Sequence, residues 1–166
     1  MFRIDSDALI KLTKSGAKEI VAVTVETVVP SVVERETVAE GREGKFPDAF
    51  EIERNIRKGL LKRVKAPKLR ETETIIEKLG LKGGEADVFR LYRAGKCRAI
   101  VSDDQKFLDL LTALNVPFVT PSALIVYAWR KGKIDKRVCL QLLEKLRPMV
   151  SEEEYHLAVI EIKGGD

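Results

Sequence analysis

Hydrophobic positions in this chain alternate between short apolar runs and stripes at helical spacing. Residues 1–4 read as a first strand. In residues 5–14, Ala8, Leu9 and Leu12 share one helical face until Gly16 stops it. Residues 17–25 are ambiguous: Ile20, Val21, Val23 and Val25 suit a strand, yet a short helix fits better before the next strand. Residues 27–29 should be strand two, and Pro30 opens a helix over 31–40, since proline is tolerated in a first helical turn. After a glycine-containing loop (41–45) the pattern predicts a helix over 47–58 and a third strand over 60–64. A short helix over 72–79 and a Gly83-Gly84 turn precede a helix over 85–94. Ala99, Ile100 and Val101 form a wholly apolar fourth strand, expected to be central. Phe107, Leu108, Leu111 and Leu114 give a helix over 104–114 its core face, and residues 116–119 read as strand five. Three helices follow, over 121–131, 135–146 and 152–162.

Strands separated by helices imply the α/β class: a mostly parallel sheet of about five strands, flanked by helices on both faces. The 166 residues suit one domain, with a core over about 1–120 and a helical extension over about 121–163. No repeat, low-complexity tract or linker interrupts it. No apolar stretch approaches the roughly 20 residues of a membrane span. Asp5 stands where a signal peptide would begin its apolar run, so a cytoplasmic protein with no membrane partner is expected.

Composition narrows the chemistry. Cys97 and Cys139 are isolated thiols without CxxC spacing, which suggests neither a zinc site nor a disulfide framework. His156 is the single histidine, so a multi-histidine metal site is excluded and a Ser-His-Asp triad disfavoured. A metal here would be held by carboxylates, which selects hard ions such as Mg²⁺ or Mn²⁺. The net charge of +4 is mild, but residues 54–70 carry eight basic side chains and no acidic one. Arg54, Arg57, Lys58, Lys62 and Arg63 in that segment are candidates for RNA phosphate contacts; a merely solvated face would look the same.

In an open parallel sheet, function gathers beyond the carboxyl ends of the strands. Asp5 ends strand one, Glu34 lies one turn into the helix after strand two, Glu85 and Asp87 start the helix before strand four, and Asp103 and Asp104 follow strand four. Carboxylates brought together repel unless a cation neutralises them, and divalent ions so held can promote phosphodiester hydrolysis. Each of these acids except Glu34 could instead cap a helix N-terminus.

Four segments, in order, resemble the PIN-domain family. They are Phe2-Arg3-Ile4-Asp5-Ser6, Val29-Pro30-Ser31-Val32-Val33-Glu34, Gly84-Glu85-Ala86-Asp87, and Ile100-Val101-Ser102-Asp103-Asp104-Gln105-Lys106-Phe107. The resemblance implies a PIN-like three-layer fold and a metal-dependent endoribonuclease, either a VapC-like toxin with an antitoxin protein as partner or an RNA-processing enzyme. It implies Mg²⁺ or Mn²⁺ bound by Asp5, Glu34, one of Glu85 or Asp87, and Asp104, with Asp103 as auxiliary. Ser6 and Ser102 would hydrogen-bond carboxylates or a bound water. Glu85 and Asp87 are about 200° apart on a regular helix, so only one can face the site unless the other sits in the cap. The alternative is a catalytically silent PIN-like module that grips RNA or a protein. A doubly wound nucleotide-binding protein is disfavoured, because Asp5-Ser6-Asp7 stands where a glycine-rich phosphate loop would follow strand one. In the extension, Trp129 beside Arg130, Lys131 and Lys133 could stack on RNA or be core. The last two helices, with Leu140, Leu143, Leu146, Leu157, Val159 and Ile160, could cover the sheet or form a homodimer contact.

Overall fold

The computed structural model describes residues 2–17, 27–40, 43 and 47–164. The expectations for residues 17–25 and 41–45 fall, apart from residues 17 and 43, outside that set. Strand β1 (Phe2–Ile4) leads into helix α1 (Ser6–Ser15), and β2 (Thr27–Pro30) into α2 (Ser31–Glu34). Then come α3 (Pro47–Arg57), β3 (Lys62–Val64), α4 (Arg70–Leu79), α5 (Gly83–Arg93) and β4 (Ala99–Val101). The chain closes with α6 (Gln105–Ala113), β5 (Phe118–Val119), α7 (Pro121–Arg130), α8 (Lys136–Leu146) and α9 (Glu152–Lys163).

All five strands are parallel, in the order β3-β2-β1-β4-β5. Phe2 is in register with Thr27 on one side and Ala99 on the other. The chain winds outward from β1 through β2 to β3, then returns to place β4 on the other side of β1. The winding therefore reverses between β1 and β4, where neighbouring connections leave in opposite directions and open a crevice. β4 is buried along its length and paired on both sides, but the middle position belongs to β1. An apolar strand needs cover on both faces, not the geometric centre. Arg3 explains how β1 can be central without being wholly apolar: it is buried, and its Nη2 donates to the Lys96 carbonyl at 2.6 Å.

Alternation along the strands divides the core. Ile4 and Val101, which share a register position, pack with α1, α3 and the helices α7 to α9 through Leu9, Leu12, Ile52, Leu124, Leu143 and Ile162. Ile100 points to the other face, against Ile76, Val88, Phe89, Phe107 and Leu111 of α4 to α6. The result is a three-layer fold, and the C-terminal helices complete one layer. Trp129 is partly buried against that core, whereas Leu157 and Ile160 are largely exposed. No helix among the described residues is long and apolar enough to cross a membrane.

Two elements differ from the pattern's reading in ways that matter below. The helix expected over 31–40 is α-helical only to Glu34 and continues as a π-helical stretch, Arg35–Glu40. The Gly83-Gly84 pair is not a turn before α5 but its first two residues.

Candidate active site

Asp5 occupies the crevice between β1 and β4. Its backbone N–H donates to the Val101 carbonyl at 3.1 Å, and its Oδ1 caps α1 by accepting the Ala8 N–H at 2.9 Å. The side chain is almost fully buried, and burial pushes its carboxyl up to about 7; the charges of Asp103 and Asp7 add to this, while hydrogen bonds from Ser102 and Ala8 oppose it. Ser102, at the end of β4, is buried and also accepts the Asp104 N–H at 3.3 Å. Asp104 in turn caps α6, its Oδ1 accepting the Phe107 N–H at 2.9 Å. The capping reading of Asp5 and Asp104 is therefore correct, and it does not compete with a functional one. A cap uses only part of a carboxylate's accepting capacity, which leaves lone pairs for an ion.

Glu36, in the π-helical stretch, supplies a third carboxylate. Its Oε2 accepts the Ser6 hydroxyl, and the N-terminus of α5 approaches it closely. A Cβ on Gly83 would lie 2.5 Å from Glu36 Oε1; one on Gly84 would lie 3.0 Å from Ser6 Oγ and 3.2 Å from Glu36 Oε2. Only a paired glycine lets this helix end, with its partial positive charge, meet the carboxylate so closely. Glu85 follows in the first turn of α5, its carboxyl raised by burial and then by the charges of Asp104 and Glu36. Asp5, Glu36, Glu85 and Asp104, with the exposed Asp7, line a cavity of about 330 Å³. One amine, Lys82, reaches the same cavity.

Three expected members lie elsewhere. Glu34 turns to the sheet edge, 3.3 Å from the Arg63 guanidinium. Asp87 pairs with Arg90 at 2.6 Å, and Glu73 holds the same guanidinium from its other side. Asp103 is bound by Lys11, which also pairs with Asp7 at 3.3 Å. Of Glu85 and Asp87 the cavity takes Glu85, and of the adjacent Asp103 and Asp104 it takes Asp104. Glu36, which the sequence reading did not single out, lies on it where Glu34 was expected. The signal was present: residues two apart fall on opposite helix faces, the same geometry that separates Glu85 from Asp87.

The basic residues divide by edge. Arg54, Arg57 and Lys58 lie around the end of α3, which feeds the amino end of β3; Arg57 there pairs with Glu53 at 2.6 Å. Arg63 is the middle residue of β3, which ends at Val64, and exposed Lys65 and Lys68 follow on the edge that bears the carboxylates. Lys62 opens the same strand and is exposed.

The donor set fits a hard divalent cation in kind, because the cavity offers oxygen donors and an excess of negative charge. Among the described residues, however, no group of three acidic, histidine or cysteine side chains is already gathered to hold an ion. The carboxyl of Glu85, raised first by burial and then by the charges of Asp104 and Glu36, shows that closer gathering would cost energy until a cation neutralises the set.

Neither a curated protein nor a solved structure matches this chain. A sequence model of the family described as a PIN domain matches residues 1–163, which is nearly the whole of it. PIN domains are typically nucleases and generally use divalent metals. With the α/β three-layer fold and the full-length match together, the chain belongs to the PIN-domain family.

Proposed function

We propose that this protein is an endoribonuclease that hydrolyses phosphodiester bonds with Mg²⁺ or Mn²⁺, acting in the cytoplasm. The observation that carries the reading is the meeting of Asp5, Glu36, Glu85 and Asp104 around one cavity at the reversal of the sheet's winding. These four side chains would hold the ion, which supplies charge neutralisation at the phosphate and polarisation of the scissile bond. Ser6 fixes Glu36, and Ser102 fixes Asp5 while accepting the N–H that orients Asp104. Lys82 offers a cation to a phosphate at the mouth of the cavity. Arg63, Lys65 and Lys68 extend positive charge along the same edge, suited to a flanking backbone.

The test pairs two glutamates. Glu36→Gln keeps the acceptor for Ser6 but removes a charge, and should lower cleavage of a single-stranded RNA at saturating Mn²⁺ by at least about a hundredfold. Glu34→Gln should leave cleavage within a few-fold of wild type, because it loses only an ion pair whose guanidinium is largely exposed. Equal activity of Glu36→Gln and wild type would sink the assignment. Absence of cleavage by wild type with Mg²⁺ or Mn²⁺, on RNA and DNA alike, would leave a binding module instead.

A further inference from the structure

A second cavity, of about 480 Å³, lies between α6, β5, α7 and α9. Its apolar lining includes Leu108 from α6, Phe118 from the edge strand and Leu157 from α9. Its walls carry Asp103, Asp109, Glu153, Glu154 and Glu161, and no lysine or arginine. Some of that charge is answered nearby. Lys11 holds Asp103, and Arg130 meets Glu161 at 2.9 Å. Asp109, Glu153 and Glu154 take part in no ion pair among the described residues; Glu154 accepts the Ser122 N–H at 2.9 Å, and Asp109 accepts from Gln105 at 2.7 Å.

Two features point to an occupant. Asp103 has a side chain only 4% exposed, and its buried Oδ1 has no hydrogen-bond partner. A buried carboxylate oxygen without a donor is costly, and a cationic or N–H-bearing ligand would relieve it. In addition, the exposed Leu157 (61%) and Ile160 (65%), three residues apart, continue the apolar lining along α9 beyond the cavity. That length suits a peptide segment better than a small molecule.

A second copy of this chain fits poorly. A two-fold contact would set one acidic groove against its twin, and like charges across an interface are strongly disfavoured. A head-to-tail contact, with the basic segment of one copy in the groove of the next, would build a ring or an open filament, which sedimentation would detect.

We propose that this groove docks a basic, amphipathic segment of a partner protein. Its cationic side chains would face Asp109, Glu153 and Glu154, one donor would reach Asp103 Oδ1, and an apolar side chain would sit between Phe118 and Leu157. Charge complementarity gives the segment its orientation, and the apolar anchor excludes water at the centre. The proposal is independent of whether the carboxylate cavity cleaves RNA.

The probe is a fluorescent synthetic helical peptide with leucine on one face and arginine flanking it, read by anisotropy on the full chain. Wild type should bind it, and the charge-reversed peptide with glutamate for arginine should not bind. Leu157→Glu and the double variant Asp109→Lys/Glu153→Lys should each weaken binding by at least about tenfold. Both changes are at exposed positions, and melting temperature checks that they fold. Glu36→Gln should bind as wild type does. Three results would each overturn the proposal. These are no binding by wild type, equal loss in Glu36→Gln (a peptide seated on the other carboxylates), or a sedimenting self-assembly that Leu157→Glu dissolves.

Discussion

Asp5 is asked to be buried and to be ionised. Burial holds its folded carboxyl up at about 7, against 3.8 for an ordinary aspartate, so the folded metal-free protein binds a proton that the unfolded chain releases. Its stability is therefore greatest below about pH 4 with respect to this group, and falls as pH rises towards 7, by on the order of 4 kcal/mol in full. Asp5→Asn removes the penalty and keeps the helix cap. Without metal, the variant should gain melting temperature over wild type at about pH 8, and the gain should vanish near pH 4. With Mn²⁺ the order should reverse at about pH 8, since the ion stabilises only the charged site. Thermal melts of both proteins across that range, with and without the ion, measure it. A pH-independent difference would mean the carboxyl is not buried as described. What sequence reading could reach at this scale was the residue types and their strand ends: Asp5, Glu85 and Asp104 were among its candidates. It named Glu34 and passed over Glu36, because a motif places a residue along the chain, while a helix decides which way it turns.

At the level of elements, the π-helical stretch and the start of α5 were the parts hidden from the pattern. Hydrophobic periodicity reports the buried stripe, and Val33 and Thr37 give the same four-residue stripe whether or not the next turn widens. Glycines read as turn signals because they free the backbone, yet at Gly84 the lack of a Cβ serves close approach instead. The central strands were legible from their apolar runs, and α1, α6, α7, α8 and α9 from apolar periods whose starts carry caps: Asp5, Asp104, Thr120, Asp135 and Ser151 each accept an N–H three residues on. The glycine argument predicts an unusual separation of effects. Gly84→Ala would gain up to about 1 kcal/mol of helix propensity. Against that, its methyl must displace Ser6, Val33 and Glu36, all within 3.2 Å. Overall stability should thus change little, while Mn²⁺ affinity falls by about tenfold as Glu36 is pushed aside. Calorimetric titration alongside a melt would show this; unchanged ion affinity would mean that α5 and Glu36 are not coupled.

For the whole molecule, the parallel sheet gives every strand the same polarity, so charge at one edge acts on that edge. Replacing Arg63, Lys65 and Lys68 by alanine should reduce the slope of log affinity for single-stranded RNA against log salt by about 0.7 for each phosphate no longer neutralised. The same treatment of Arg54, Arg57 and Lys58, at the opposite edge, should leave the slope unchanged. Slopes that fall equally would mean that RNA wraps both edges. The order β3-β2-β1-β4-β5 carries one more consequence. The cavity's members come from positions 5, 36, 85 and 104, and the wall beside Asp5 is a strand nearly a hundred residues downstream. Pairings of such separation form late and together. During synthesis, a nascent chain that has not yet extended past Asp104 has no assembled site, so whatever chemistry the cavity performs can begin only after its last carboxylate has been made.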